Sequence, residues 1–136
     1  MKKILVPTDF SDNASKALDY AVAIAAKANA EIILLNTFAA ADTTMSPARA
    51  LVEEYNRSIE ADAHEQLKAL KQNAEANSSV EIVIKFINGG TKDSILNLAA
   101  EEKVDLIVMG TRGTSGVERM LWGSTTTSVI GNSSVP

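Results

Sequence analysis

The chain contains no cysteine, which excludes disulfides, thiolate metal sites and cysteine nucleophiles together. It has one histidine, His64, so a multi-histidine metal site within one chain is excluded too. Aromatic residues make up only 4% of the sequence, and acidic residues outnumber basic ones by 17 to 13. Nucleic-acid-binding domains show the reverse, a basic stripe often interleaved with stacking aromatics, so no nucleic-acid partner is expected. No apolar run approaches the ~18 residues that a membrane span requires. The opening MKKILVPTDF carries lysines, but its apolar stretch is too short for a secretory signal. The expectation is a soluble, cytoplasmic protein with no membrane partner. There is no GxxxxGK[ST] phosphate loop, no GxGxxG after the first apolar run and no GxSxG nucleophile elbow. Thr8, Ser11 and Ser15 have no histidine base nearby in sequence.

What is present is a chain of 136 residues, 46% hydrophobic, long enough for one domain with a real core. Four short apolar runs stand out: Ile4 to Val6, Glu31 to Leu35, Val80 to Ile87 and Val104 to Met109. The first, second and fourth are nearly continuous, the pattern of strands covered on both faces. The third alternates, with Val80, Ile82 and Ile84 opposite Glu81 and Lys85, as a strand nearer a sheet edge does. Between the runs lie helical stripes. Ala14, Ala17, Leu18, Ala21, Val22 and Ala25 form one, with Ser11 or Asp12 as N-cap. Val52, Tyr55, Ile59, Ala63, Leu67 and Leu70 form a second, in a helix from about residue 47 to about residue 76. A third, short helix carries Ile95, Leu98 and Ala99, with Thr91 as candidate cap. The segment from Ala39 to Met45 reads as a flexible loop. Strict β-α alternation implies an α/β fold, an open parallel sheet with helices on both faces.

In such sheets ligands bind beyond the carboxyl ends of the strands, at the topological switch point. The segment after the fourth run is the most informative. Gly110 and Gly113 stand in a turn leaving a buried strand, where glycine permits positive φ and close approach to a ligand. Gly123-Ser124 then opens a helix whose free N–H groups favour an anion, and hydroxyls fill every position from Ser124 to Ser128. This set could cradle phosphate, or it could be a glycine turn and a capped helix with no ligand. Asp9 either shapes the turn after the first strand or presents a carboxylate to a ribose or metal. Arg112 pairs with phosphate or sits solvated. His64 reads as a partly packed surface residue, Trp122 as a packing anchor, and Glu53-Glu54 and Glu101-Glu102 as solvated faces.

These residues together resemble the universal stress protein family. ILVPTDFSDNASKAL looks like that family's first strand and adenine-side loop. Gly110-Thr111-Arg112-Gly113, nine residues, then Gly123-Ser124 is similar to its nucleotide motif G-x2-G-x9-G-[S/T]. The resemblance covers the whole chain in order. It implies a sheet of adenine-nucleotide-hydrolase type, and we expect strand order 3-2-1-4. It also implies a stress-response regulator that binds ATP, or AMP or ADP, and acts through nucleotide state and partners, with slow hydrolysis at most. The alternatives are a nucleotide-free interaction module and an adenine-nucleotide hydrolase. Carried over, Pro7, Thr8 and Asp9 line the adenosine pocket, and Thr37 offers backbone contacts to the adenine edge. Met109 and Gly110 floor the ribose and α-phosphate, and Gly113, Gly123, Ser124 and Thr125 hold the phosphates. Magnesium or manganese would be held through phosphate oxygens, since this composition builds no cage for a softer metal. In the family, a proline after the last helix opens a fifth strand, whereas here the sequence stops at Ser134-Val135-Pro136. The resemblance therefore suggests a C-terminally truncated domain, the first of two tandem domains, or a homodimer that completes the edge beside the fourth strand.

Overall fold

The computed structural model describes residues 1–40, 42–111 and 124–136. The elements run β1 (Lys3–Pro7), α1 (Asp12–Ala28), β2 (Glu31–Phe38), α2 (Arg49–Ala76), β3 (Ile82–Asn88), α3 (Thr91–Glu101), β4 (Leu106–Ile107) and α4 (Ser124–Asn132). The strands form one four-stranded sheet in the order β3-β2-β1-β4. Every pairing is parallel, with Ile4 opposite Ile32 and Leu106, and Ile32 opposite Ile82. The expected order is the observed one, and the alternating third run is the edge strand its pattern indicated.

The side-chain period of two divides the core into two layers. Ile4, Val6, Ile32, Leu34 and Ile82 face α1 and α2, against Leu18, Ala21 and Leu67. Leu5, Ile33 and Leu35 face α3 and α4, against Ile95, Leu98 and Val129. Strands covered on both sides have no position to spare for a polar residue, which is why these runs are continuous. Each fully buried Leu or Ile stabilises the fold by ~1.5–3 kcal/mol.

Local chemistry ends the helices where the sheet needs them. Ser11 is the N-cap of α1, its Oγ accepting from the Ala14 N–H at 3.2 Å. Asn29 stops α1 in the left-handed region (φ 54°, ψ 46°), a conformation asparagine tolerates better than most residues. At α3 the expected cap is corrected. Gly90 occupies the N-cap position and Thr91 is the first helical residue, its hydroxyl turned to Thr37 instead.

Two further expectations change. α2 starts at Arg49, and only its C-terminal part buries its stripe: Ala63 and Leu67 are buried, whereas Tyr55 is 60% exposed. The cause is length. A helix of 28 residues spans ~42 Å, and the longest strand, of 8 residues, spans ~26 Å. Lys71 and Glu75 sit at the first residue of β3 and His64 stacks on Phe86 near its last, so the start of α2 overhangs the carboxyl end. The fourth run departs from the doubly covered pattern expected of it: only Leu106 and Ile107 of its six residues form a strand, at the edge of the sheet, and both are half-buried. Its inner side continues to bond to β1, through Asp105 N–H to Lys3 O and Val108 N–H to Leu5 O. On its outer side Ile107 N–H donates to Pro136 O at 2.8 Å.

The two sheet edges are treated differently. At β3, Lys71 Nζ donates to Ile82 O at 2.6 Å, and Glu75 accepts from Ile82 N–H at 3.1 Å. A single helical ion pair thereby occupies backbone groups that would otherwise invite another strand.

Candidate functional site

Chain direction reverses across the sheet between β1 and β4. From β1 the chain moves outward to β2 and β3, then returns to the other side of β1. The crevice at the carboxyl ends of β1 and β4 is therefore the switch point.

The β1–α1 turn forms one wall. Thr8, only 7% exposed, extends the ladder by donating its N–H to Leu35 O at 2.7 Å. Its Oγ1 accepts from Phe10 N–H at 3.1 Å, and Asp9 Oδ1 accepts from Ser11 N–H at 3.0 Å. These consecutive side-chain turns bend a strand into a helix within four residues. Between them Phe10 is forced to φ 66°, a left-handed conformation costing ~1–2 kcal/mol for a residue with a side chain. Its ring offsets that cost by packing against the core layer beneath α1 and α2. The turn-shaping reading of Asp9 is thus realised, with the carboxylate at the exposed rim.

Behind this wall stands Asn36, a residue the sequence reading did not single out as functional. It is buried, and its Nδ2 donates to Thr8 O at 2.8 Å, crossing from β2 to the end of β1. The signal was available: an amide directly following Ile32 to Leu35, all buried. A polar group at such a position must satisfy a buried partner. Thr37, next along, lies farther out, and its Oγ1 is 2.9 Å from Thr91 Oγ1 at the start of α3.

The opposite wall is the exit of β4. Met109 packs into the layer beneath α3 and α4. Gly110 does not use the positive φ that glycine permits. What it needs is the absence of a side chain. A Cβ there would lie 3.1 Å from the Asn13 carbonyl carbon, 3.2 Å from its oxygen and 3.3 Å from Ala14 N. The backbone it approaches closely is the first turn of α1. The Gly110 carbonyl accepts from Thr126 Oγ1 at 2.6 Å, which ties the first turn of α4 to the same point.

Pro7, Thr8, Asp9, Met109, Gly110, Ser124 and Thr125 thus come from three segments that converge on the switch point, while Thr37 sits one strand away. Arg112, Gly113, Trp122 and Gly123 lie outside the described residues, as does Ala41 of the loop after β2. The electrostatics differ between the helix starts. α1 and α3 carry Asp12 and Asp93 in their first turns, and α4 carries no acidic residue there. Its N–H groups and dipole are left uncompensated by a carboxylate of its own. Among the described residues no group of three or more His, Asp or Glu side chains could hold a metal ion. None of the described helices is long and apolar enough to cross a membrane.

Comparison with known proteins agrees with this fold. The sequence profile of the universal stress protein family matches residues 1–136. The chain is similar to the universal stress protein MJ0531 of Methanocaldococcus jannaschii, 35% identical over 135 residues covering 99% of this chain and 79% of the relative. In structure it is similar to the universal stress protein UspA from Lactobacillus plantarum, with a TM-score of 0.89, 28% identity, and coverage of 98% of this chain and 93% of that one. It is also similar to a universal stress protein solved in complex with cAMP, with a TM-score of 0.72, 28% identity, and coverage of 98% and 91%.

Proposed function

The chain belongs to the universal stress protein family, and from that premise we propose that it binds an adenine nucleotide, ATP foremost, and acts as a stress-response regulator through its nucleotide state. The observation that carries this reading is the convergence of the β1–α1 turn, the β4 exit and the acid-free start of α4 at the switch point. An α/β sheet binds nucleotides at that place, and an uncompensated helix start suits a phosphate. The cAMP complex of a relative supports the adenine class.

In this reading Pro7, Thr8 and Asp9 border the adenosine, and Thr37 lies toward the base edge. Met109 lies under the ribose, and Arg112, Gly113, Gly123, Ser124 and Thr125 meet the phosphates. Gly110 serves the site by letting α1 come close. Magnesium or manganese would enter with the phosphates, which supply the hard oxygen ligands those ions prefer. Hydrolysis would be slow at most, because the single histidine, His64, lies in α2 against Phe86 and does not serve the crevice as a base. A homodimer or tandem-domain partner would meet the outer edge of β4, beside the Ile107–Pro136 hydrogen bond.

Calorimetry with ATP, ADP, AMP and cAMP, with and without magnesium, tests the proposal. Stoichiometric binding of ATP, weakened as phosphates are removed, is expected. A folded chain that takes up none of the four would overturn it and leave an interaction module in its place.

A further inference from the structure

Thr126 enters the sequence reading only as one of five consecutive hydroxyls able to cradle phosphate, yet among the described residues it is one of few buried polar side chains, 8% exposed, and makes one of the shortest hydrogen bonds. Its Oγ1 donates to Gly110 O at 2.6 Å across 16 residues. Gly110 in turn abuts the Asn13 and Ala14 backbone, with no room for a Cβ. One peptide unit thus joins the end of β4 to the first turns of both helices that start at the crevice.

We propose that Thr126 and Gly110 form a latch that aims the start of α4 at the crevice, with Thr126 as a positioning residue rather than a ligand contact. α4 is a weak helix by composition. Ser124, Thr125, Thr126, Thr127 and Ser128 are consecutive, and such residues favour caps and turns over helix interiors. Its length of 9 residues is below what sustains an isolated helix. Its orientation therefore depends on tertiary anchors. Val129 supplies one, from the layer shared with α3. The Thr126–Gly110 bond supplies another and fixes the first turn, whose N–H groups have no partner within the helix itself. Because the Gly110 carbonyl is engaged by Thr126 and its Cα face by α1, the glycine contributes geometry to the site more than contact with a ligand.

This rests on the proposed nucleotide reading, and the test separates the two. Thr126→Val keeps shape and removes the hydroxyl, and Thr126→Ser keeps the hydroxyl and removes the methyl. Affinities for ATP and for adenosine are measured on wild type and both variants. The latch predicts a five- to tenfold weaker ATP affinity in Thr126→Val, about the value of one hydrogen bond. It also predicts unchanged adenosine affinity and near-wild-type binding of both ligands by Thr126→Ser. Equal losses for ATP and adenosine, no loss at all, or an equal loss in Thr126→Ser would overturn the latch. If wild type binds neither ligand, the nucleotide reading fails, and amide exchange over residues 124–129 decides the latch. Faster exchange in Thr126→Val than in Thr126→Ser supports it, and equal exchange rejects it. Should Thr126→Val fail to fold, the same comparison is made with Thr126→Ala.

Discussion

The two ends of the sheet are built from different chemistry. At the carboxyl end the bonds that cross between elements are neutral, Asn36 to Thr8, Thr37 to Thr91 and Thr126 to Gly110, while the Asp9 carboxylate bonds within its own turn, to Ser11. Near the amino end they are charged. Glu102, after α3, accepts from Lys3 Nζ at 3.0 Å and from Lys85 Nζ at 3.2 Å. Asp105, ahead of β4, accepts from the Lys2 and Lys3 N–H groups at 2.7 Å and 3.0 Å. Charges at the amino end satisfy one another and stitch strand starts together. Neutral donors at the carboxyl end hold the backbone in place without cancelling the positive helix start. An anion site requires that division, since a carboxylate at the start of α4 would compete with phosphate.

The sharpest way to break this contrast lies in the glycine motif. Gly113→Val or Gly123→Val should weaken ATP binding a hundredfold or more, about 3 kcal/mol, with the fold kept. A Cβ branch would fill the space assigned to phosphate. Calorimetry alongside circular dichroism checks this, and unchanged affinity in a folded variant would reject the phosphate reading.

Gly110→Val separates a structural glycine from a ligand-facing one. Its side chain would meet the Asn13 backbone, so the cost should appear in the nucleotide-free protein as about 1–3 kcal/mol of lost stability. Denaturant unfolding measures it. Full stability combined with lost ATP binding would return Gly110 to the ligand.

Asn36→Ala asks whether the neutral end also carries stability. Losing Nδ2 leaves the Thr8 carbonyl without that donor at a buried site, a loss of about 1–2 kcal/mol. Thermal unfolding should show it, and a melting temperature equal to wild type would make the cross-strand bond dispensable.

The smallest effect concerns the charged end and its pH dependence. The Lys3 and Lys85 ammonium groups bonded to Glu102 hold its carboxyl below the ordinary carboxylate range. The Lys2 and Lys3 N–H groups do the same for Asp105. A folded-state pKa below the unfolded one means the stabilisation is present above the unfolded value and is lost as pH falls through the folded one. Melting temperature should therefore hold steady near neutrality and decline in the acid range. Asp105→Asn should lower it at neutral pH and converge with wild type at low pH. Asp105 is exposed and Glu102 half-buried, so solvent still reaches the Glu102 ion pairs and added salt should shrink their contribution. Parallel wild-type and variant curves across the titration would show that this end is not tuned by charge.

Much of this was legible in the residues. Continuous apolar runs marked β1 and β2 as buried on both faces, because a doubly covered strand admits no polar alternation. The alternating run marked β3 as an edge, and Ser11 was readable as a cap because capping is a local, three-residue interaction. The spaced glycines and the β1 loop pointed to the family. Other features needed the tertiary structure, because their partners are distant in sequence and nothing in a linear pattern reports distance in space. Whether the stripe of α2 is buried depended on how far the sheet extends beneath it, which is why Tyr55 is exposed. Which residue holds the turn after β1 depended on Asn36 lying beside Thr8. The residues alone established a parallel α/β sheet and, by the switch-point rule, where on it a ligand is to be sought. Only the fold decided why Gly110 must be glycine, since the atom that excludes a side chain there belongs to Asn13, on a helix formed at the other end of the chain.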